Sequence, residues 1–153
     1  MLTKNFSPMM NERLSAIMTR NVVSVRKDEP IESVKKLLFD KRIHHIPVVD
    51  DENKLVGIIT SWDLIKSQKP FSEYGKIKVE ELMTKNVAAM RPNELIGAAA
   101  MVFLKNLFHG LPIVDDEGKL VGIVTTHDIL LYEYNKEYPN DPFIKDTNWL
   151  VSP

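Results

Sequence analysis

The stretch that decides the fold occurs twice in the chain. Residues 44–63 are HHIPVVDDENKLVGIITSWD, and residues 109–128 are HGLPIVDDEGKLVGIVTTHD, with no gap between the aligned copies. The similarity extends back to Ile17 in the first copy and to Leu82 in the second. Roughly 20 of about 49 aligned positions are identical, which defines two copies of one unit of roughly 50 residues. An internal repeat predicts that the chain forms the same local structure twice.

Each copy has the pattern of a strand, a helix, a strand, a turn, a strand and a helix. Residues 22–25 are rich in β-branched side chains, which favours a short strand. Apolar side chains recur at helical spacing over residues 31–38, which predicts an amphipathic helix. Two apolar runs then flank a turn in which Asn53 occupies the position of Gly118 in the second copy. Asn and Gly both accept positive φ, so this position predicts a tight hairpin.

The repeat boundaries divide the chain into five segments. Two units of this size each bury too little surface to be secure alone, so we expect them to pack against each other. The tail carries Phe143, Trp149 and Leu150 and is either a docking segment or a disordered end. We predict an N-terminal arm at 1–13, a first repeat at 14–66, a linker at 67–78, a second repeat at 79–132 and a C-terminal tail at 133–153.

The composition excludes several classes of function. The chain has 20 basic and 21 acidic residues, and the net charge of −1 lacks the positive excess of a general nucleic-acid binder. The absence of cysteine excludes disulfides and thiolate metal sites. Neither a signal-peptide core nor a membrane-spanning apolar run is present in the sequence. We therefore predict a cytoplasmic protein whose partners include neither nucleic acid nor a membrane.

The first helix of the second copy differs from its counterpart. Residues 95–104, LIGAAAMVFL, are apolar around the whole circumference of a helix. Such a helix must be covered on more than one side. Its second side either meets another chain, which predicts a homodimer, or is buried entirely within the monomer.

The same polar pattern ends both copies. In it a glycine leaves room for a close approach to the strand, and a threonine precedes the predicted helix. An aspartate three residues later accepts two hydrogen bonds, which suits the paired hydroxyls of a ribose, while the free amides of the helix start suit an anion. The pattern consists of Gly57, Thr60 and Asp63 in the first copy, and of Gly122, Thr125 and Asp128 in the second.

An alternative explains this pattern without a ligand. Thr-x-x-Asp is also the spacing of a capping box, in which the two side chains satisfy the first amides of the helix. Spacing alone favours the cap. The adjacent His44 and His45 point to opposite faces of a strand, so we predict no metal site. No set of nucleophile, base and orienting group is apparent, so we predict that the chain is not an enzyme.

The ordered set of motifs resembles a tandem pair of cystathionine-β-synthase-type (CBS) domains, also called a Bateman module. The resemblance covers about residues 14–132 and rests on three motifs in each copy. It implies an α/β (α+β) fold of two β-α-β-β-α repeats, packed through their sheets about a pseudo-twofold axis with two clefts between them. The motifs are Met18-Thr19-x-x-Val22, Ile46-Pro47-Val48-Val49-Asp50 and Leu55-Val56-Gly57-Ile58-Ile59-Thr60-x-x-Asp63, repeated at 83–87, 111–115 and 120–128.

The resemblance also implies a function and a set of contacts. Such modules commonly sense adenosine-containing ligands such as AMP, ADP or ATP, need no other cofactor and often form homodimers, and a regulated partner protein is open. The alternative is a ligand-independent scaffold for dimerisation or protein interaction. The implied contacts are Asp63 and Asp128 to ribose, Thr60 and Thr125 to phosphate or ribose, Thr19, Val22, Thr84 and Val87 around the base, and Ile46, Pro47, Leu111 and Pro112 as an apolar wall.

The chain departs from the family pattern next to each aspartate. Many members have arginine there, whereas this chain has Trp62 and His127. A phosphate needs positive charge nearby, and His44 and His109 occupy matching positions from which they could supply it. The copies also differ because His45 aligns with Gly110. We therefore expect two unequal clefts, one of which can bind while the other stays empty.

Overall fold

The structure is a computed structural model that describes residues 10–142. The predicted docking residues Phe143, Trp149 and Leu150, like residues 1–9 of the predicted arm, lie outside the described residues. The strands are β1 (Val25–Arg26), β2 (His45–Val49), β3 (Leu55–Thr60), β4 (Gly110–Val114) and β5 (Leu120–Thr125). The helices are α1 (Ile31–Lys41), α2 (Ser61–Ser67), α3 (Val79–Leu82), α4 (Ile96–Lys105) and α5 (Thr126–Glu137), with 3₁₀ turns at Leu14–Ala16 and Phe71–Lys76.

The sheets confirm the mixed helix and strand fold. In the first repeat β1 runs parallel to β2, and β2 pairs antiparallel with β3. The second repeat has the antiparallel pair β4 and β5. The predicted first strand is shorter than expected, and in the second repeat it is reduced to a parallel bridge between Met90 and Ile113. The second copy has Ala88 and Ala89 where the first has Val23 and Ser24, so it loses the β-branched valine that favours a strand.

Both hairpins close as the sequence predicts. Asn53 has φ of 62° and Gly118 has φ of 81°, so each turn uses the residue that tolerates the left-handed region. The two turns also bind each other across the repeats. The amide of Leu55 donates to the carbonyl of Gly118 at 3.1 Å, and the amide of Leu120 donates to the carbonyl of Asn53 at 3.0 Å. These matched hydrogen bonds follow the pseudo-twofold relation of the two copies.

Each repeat completes its core with a segment that belongs to the other half of the chain. Leu14 and Met18, at the start of the first repeat, pack into the core of the second repeat beside Leu111. Tyr74 and Val79, which precede most of the second repeat, pack into the core of the first. Part of the predicted linker is thus buried against the first repeat. The expectation that the two units pack together is confirmed, because neither core is complete without the exchange.

The exchanged segments account for the two glycines of the polar pattern. A Cβ atom at Gly57 would lie 2.5 Å from Met83 Sδ and 2.9 Å from the carbonyl oxygen of Thr84. A Cβ atom at Gly122 would lie 2.8 Å from the sulfur of Met18. The sequence predicted a close approach to these strands, and the approaching group is the protein's own chain.

Helix α4 is not wholly buried in the monomer. Ile96, Ala99 and Phe103 face the core, whereas Leu104 is 87% exposed and Met101 is 51% exposed. The alternative of complete burial within one chain is therefore wrong. The homodimer stays a prediction.

Replacing Gly57 by alanine tests the exchanged packing. We expect Gly57→Ala to lower the free energy of unfolding by about 1–3 kcal/mol, because the new methyl group overpacks against Met83 and the backbone of Thr84. Chemical denaturation measures the change. Gly75→Ala is the matched control, since no atom lies within 4 Å of its added Cβ. An equal, small effect of both substitutions would contradict a tight contact at Gly57.

Candidate ligand-binding cleft

A cleft of about 510 Å³ opens between the start of α2 and segments of the second repeat. Its size lies within the roughly 300–1,000 Å³ that is usual for small-molecule sites. Residues from both repeats line it, so its shape depends on how the repeats are arranged. The predicted site residues that it brings together are His44, Thr60, Asp63, Thr84, Val87 and His109.

The backbone explains why the contact residues of one copy meet the polar pattern of the other. Thr84 exchanges two hydrogen bonds with Ile58 of β3, at 3.0 and 2.9 Å, which holds the loop that leads to Val87 beside Thr60. Thr19 makes the equivalent pair with Ile123 of β5, at 2.9 and 3.0 Å. Each potential site is therefore assembled from one polar pattern and the loop that precedes the other repeat.

The capping box that competed with the ligand hypothesis is present in both copies. Asp63 Oδ2 accepts hydrogen bonds from the amide of Thr60 at 2.8 Å and from its hydroxyl at 3.0 Å. Asp128 Oδ2 accepts from the amide of Thr125 at 2.8 Å, and the two threonine oxygens accept from the aspartate amides. Both pairs therefore stabilise the start of a helix.

The cap uses one oxygen of each carboxylate and leaves the other for a further contact. Asp63 is buried, with 6% of its surface exposed, and it still lines the cleft. Its Oδ1 atom lies 3.9 Å from the ammonium of Lys66, whose side chain is 64% exposed. A long ion pair to an exposed lysine holds this oxygen weakly. Capping and ligand contact are thus compatible at Asp63.

The equivalent residues of the second copy do not line this cleft. Thr125 and Asp128 lie at the start of α5, and Thr19 is hydrogen-bonded to Ile123 of the preceding strand β5. There the amide of Thr126 donates to the carbonyl of His109 at 3.0 Å. One of the helix-start amides that we expect to bind an anion therefore already has a partner within the protein. This difference in hydrogen bonding makes the two positions unequal.

The predicted apolar wall is not available at the surface. Ile46 and Leu111 have no exposed area and belong to the two hydrophobic cores. Pro47 and Pro112 are buried in the hairpins that they help to form. These four residues therefore offer no accessible wall in this structure, because four of the five residues of β2 and of β4 are buried, on both faces of each strand. Trp62, Leu107 and Phe108 supply apolar surface instead.

Three histidines lie in the cleft. The sequence favours His44 and His109 as phosphate contacts, and the structure adds His45, whose alignment with Gly110 marks a difference between the copies. The rings of His45 and His109 are 6.3 Å apart in an edge-on arrangement, and His45 Cγ would lie 3.2 Å from a Cβ at Gly110. Gly110 therefore makes the space that the ring of His45 fills. Burial, followed by the nearby His109 and His44, lowers the pKa of His45.

Among residues 10–142, no group of three or more His, Asp or Glu side chains is placed to hold a metal ion. None of the helices described is sufficiently long and apolar to cross a bilayer.

The family follows from comparison with known proteins. The model of the CBS domain matches residues 14–69 and again residues 79–135. These two matches cover more than half of the chain, which therefore belongs to the CBS domain family.

The chain is similar in sequence to known proteins and similar in structure to solved CBS domain proteins. It is 36% identical over 116 residues to a protein named homoserine O-acetyltransferase from Methanohalobium evestigatum, and this match covers 76% of the chain but 23% of that protein. The CBS domain pair of protein MJ0100, solved in complex with 5′-methylthioadenosine and S-adenosyl-L-methionine, is 34% identical, with a TM-score of 0.72 over 82% of this chain and 98% of that one. CBSX2 in complex with AMP is 28% identical, with a TM-score of 0.73 and the same coverage.

The position of His45 predicts a dependence of stability on pH. Its pKa is lower in the folded protein than in the unfolded chain, so between the two values only the unfolded chain binds the proton. We expect the free energy of unfolding to fall as the pH drops below about 6.5, the usual histidine pKa. His45→Gln should reduce this slope in denaturation curves recorded from pH 7.5 to 5. The exposed His127 provides the control, and a slope changed equally by His127→Gln would contradict the role of His45.

Proposed function

We propose that this chain is a regulatory module that senses an adenosine-containing ligand in the cleft between its CBS repeats. The observation that carries the proposal is the meeting of Thr60 and Asp63 with Thr84 and Val87 in one cleft of suitable size. The adenosine compounds bound by the CBS pair of MJ0100 and by CBSX2 support this ligand class. AMP, ADP and ATP are the nucleotides to test beside the nucleoside itself.

Each part of the ligand has a chemically matched neighbour in this proposal. The Oδ1 atom of Asp63 accepts from a ribose hydroxyl, since Oδ2 is occupied by the cap. The exposed face of Trp62 and the ring of Phe108 offer apolar surface to the base, with Val87 at its edge. The threonine hydroxyls of the cleft are donors and acceptors for the sugar or its 5′ substituent.

The cleft that contains Thr60 and Asp63 is the principal site in our proposal. Thr125, Asp128, Thr19 and Val22 form the pseudo-symmetric position, where the protein already bonds the amide of Thr126. A ligand bound at this second position therefore forms fewer new hydrogen bonds than a ligand bound in the cleft beside Asp63. We therefore propose that the second position binds more weakly or stays empty.

The mechanism that we propose is a shift between arrangements of the two repeats. A ligand in the cleft contacts both repeats, so it stabilises the arrangement in which those contacts are best. A regulated partner then responds to that arrangement. The chain spans about a quarter of the acetyltransferases that it resembles, and we propose a sensing role for it and not their catalytic activity.

We also propose that the chain forms a homodimer through α4 and α5. Leu104 and Leu130 are exposed on these neighbouring helices, and Leu107 follows α4 with almost its whole surface exposed. Exposed apolar side chains on adjoining helices are typical of an interface. The same surface favours the second candidate function, a scaffold that dimerises or binds a protein without any ligand.

Substitution of Asp63 tests the ligand proposal. Asp63→Asn keeps an oxygen for the cap but removes the charge, so we expect adenosine or AMP to bind at least about tenfold more weakly, as the loss of a charged hydrogen bond implies. Isothermal titration calorimetry measures the affinity. Asp128→Asn is the matched control and should leave the stronger site unchanged. Equal losses in both variants would place the principal site elsewhere, and no binding by the folded wild-type chain would favour the scaffold.

Introducing a charged side chain at the proposed interface tests the dimer. We expect sedimentation to give a dimer for the wild-type chain and a monomer for Leu104→Glu, because an interface that buries a carboxylate without a partner is strongly disfavoured. Glu52→Lys, at an exposed hairpin turn of the first repeat, is the control for a change of charge. A Leu104→Glu protein that remains dimeric would exclude α4 from the interface.

A further inference from the structure

The titratable groups that line the cleft carry no fixed excess of positive charge. They are Asp63 and Lys66 from α2, His44 and His45 before and at the start of β2, and His109 before β4. The lysine and the aspartate form an ion pair, so their charges balance. The remaining polar lining consists of neutral Ser, Thr and Asn side chains. Only the histidines can change the net charge of this lining near neutral pH.

Because the lining has no excess positive charge, the affinity of an adenosine ligand depends on the charge of its 5′ substituent. A phosphate monoester carries a charge of about −1.5 to −2 at pH 7, and a polyphosphate carries more. Bringing such a charge into a cleft without a compensating cation costs free energy. A nucleoside with an uncharged 5′ group avoids that cost entirely.

The three histidines are placed to respond to an anion. The rings of His45 and His109 are 6.3 Å apart, and His44 adjoins His45 in the same lining. Without an anion, burial and the neighbouring histidines disfavour the charged form of His45. A phosphate within the cluster reverses the balance, because a nearby opposite charge favours the protonated form. Protonation of one ring then supplies the cation that the cleft lacks.

We infer that His44, His45 and His109 couple the binding of a 5′-phosphorylated adenosine ligand to proton uptake, whereas an uncharged adenosine ligand binds independently of pH. This inference rests on the proposed function and adds the charge class of the ligand. At slightly alkaline pH the cleft favours the uncharged ligand over the monophosphate, and the monophosphate over a polyphosphate. Acidification strengthens only the phosphorylated ligands.

Calorimetric titration with adenosine and with AMP at pH 7.0 and pH 8.0 tests this inference. Both values lie above the phosphate pKa of about 6, so the charge of AMP itself changes little. We expect AMP to bind about three- to tenfold more tightly at pH 7.0, since uptake of one proton gives at most tenfold per pH unit, and adenosine to change less than twofold. Repeating the titration in buffers with different ionisation enthalpies gives the number of protons exchanged on binding. We expect the binding of AMP to be accompanied by the uptake of about half a proton to one proton.

Single histidine variants assign the coupling to the cluster. His44→Gln and His109→Gln replace exposed side chains, so both proteins should fold, and each should reduce the proton uptake with AMP. His127→Gln, whose side chain lies outside the cleft, should leave it unchanged. Equal pH dependence for adenosine and AMP, or proton uptake that is unchanged in His44→Gln, in His109→Gln and also in His45→Gln, would overturn the inference while leaving the proposed function intact. If neither compound binds at either pH, the proposed function falls and the inference with it.

Discussion

The exchange of segments between the repeats is the constraint on which the rest of the structure depends. Thr84 is hydrogen-bonded to Ile58, and Thr19 is hydrogen-bonded to Ile123, so each entering loop is fixed on the last strand of the opposite half. Met83 and Met18 then fill the space above the two strand glycines. The same bonds that complete the cores also place the cleft residues of the two repeats side by side. The folded core and the assembled cleft therefore depend on the same contacts in this chain.

The aspartate at the start of α2 caps the helix, and the ligand contact that we propose for it does not compete with the cap. One oxygen closes the capping box with Thr60, and this bond fixes the carboxylate before any ligand arrives. The other oxygen lies 3.9 Å from the ammonium of the exposed Lys66. A group that is already oriented loses little conformational freedom when it binds. The cap thus holds the carboxylate in the orientation that our proposal requires, and the structural role and the proposed binding role of Asp63 are compatible.

Duplication gave the chain two similar halves, and a few substitutions made them different. Gly110 leaves the space that the imidazole of His45 occupies, and this ring has no counterpart in the other half. Trp62 adds an exposed aromatic face where the second copy has His127. These exchanges change the charge and the shape of one cleft without altering the hydrogen bonds that hold the repeats together. Pseudo-symmetry therefore governs the fold, while departures from it govern the chemistry of the cleft.

The sequence by itself determined the repeat, the hairpins and the helix starts. Asn53, Gly118 and the two Thr-x-x-Asp pairs act through hydrogen bonds within a few residues, so their local sequence suffices. Only the tertiary structure decided that Ile46 is core and not cleft wall, that Thr84 joins Asp63, and that three histidines meet. These outcomes depend on packing between residues far apart in the chain, and the spacing of side chains along one strand or helix does not encode which distant surface will cover them.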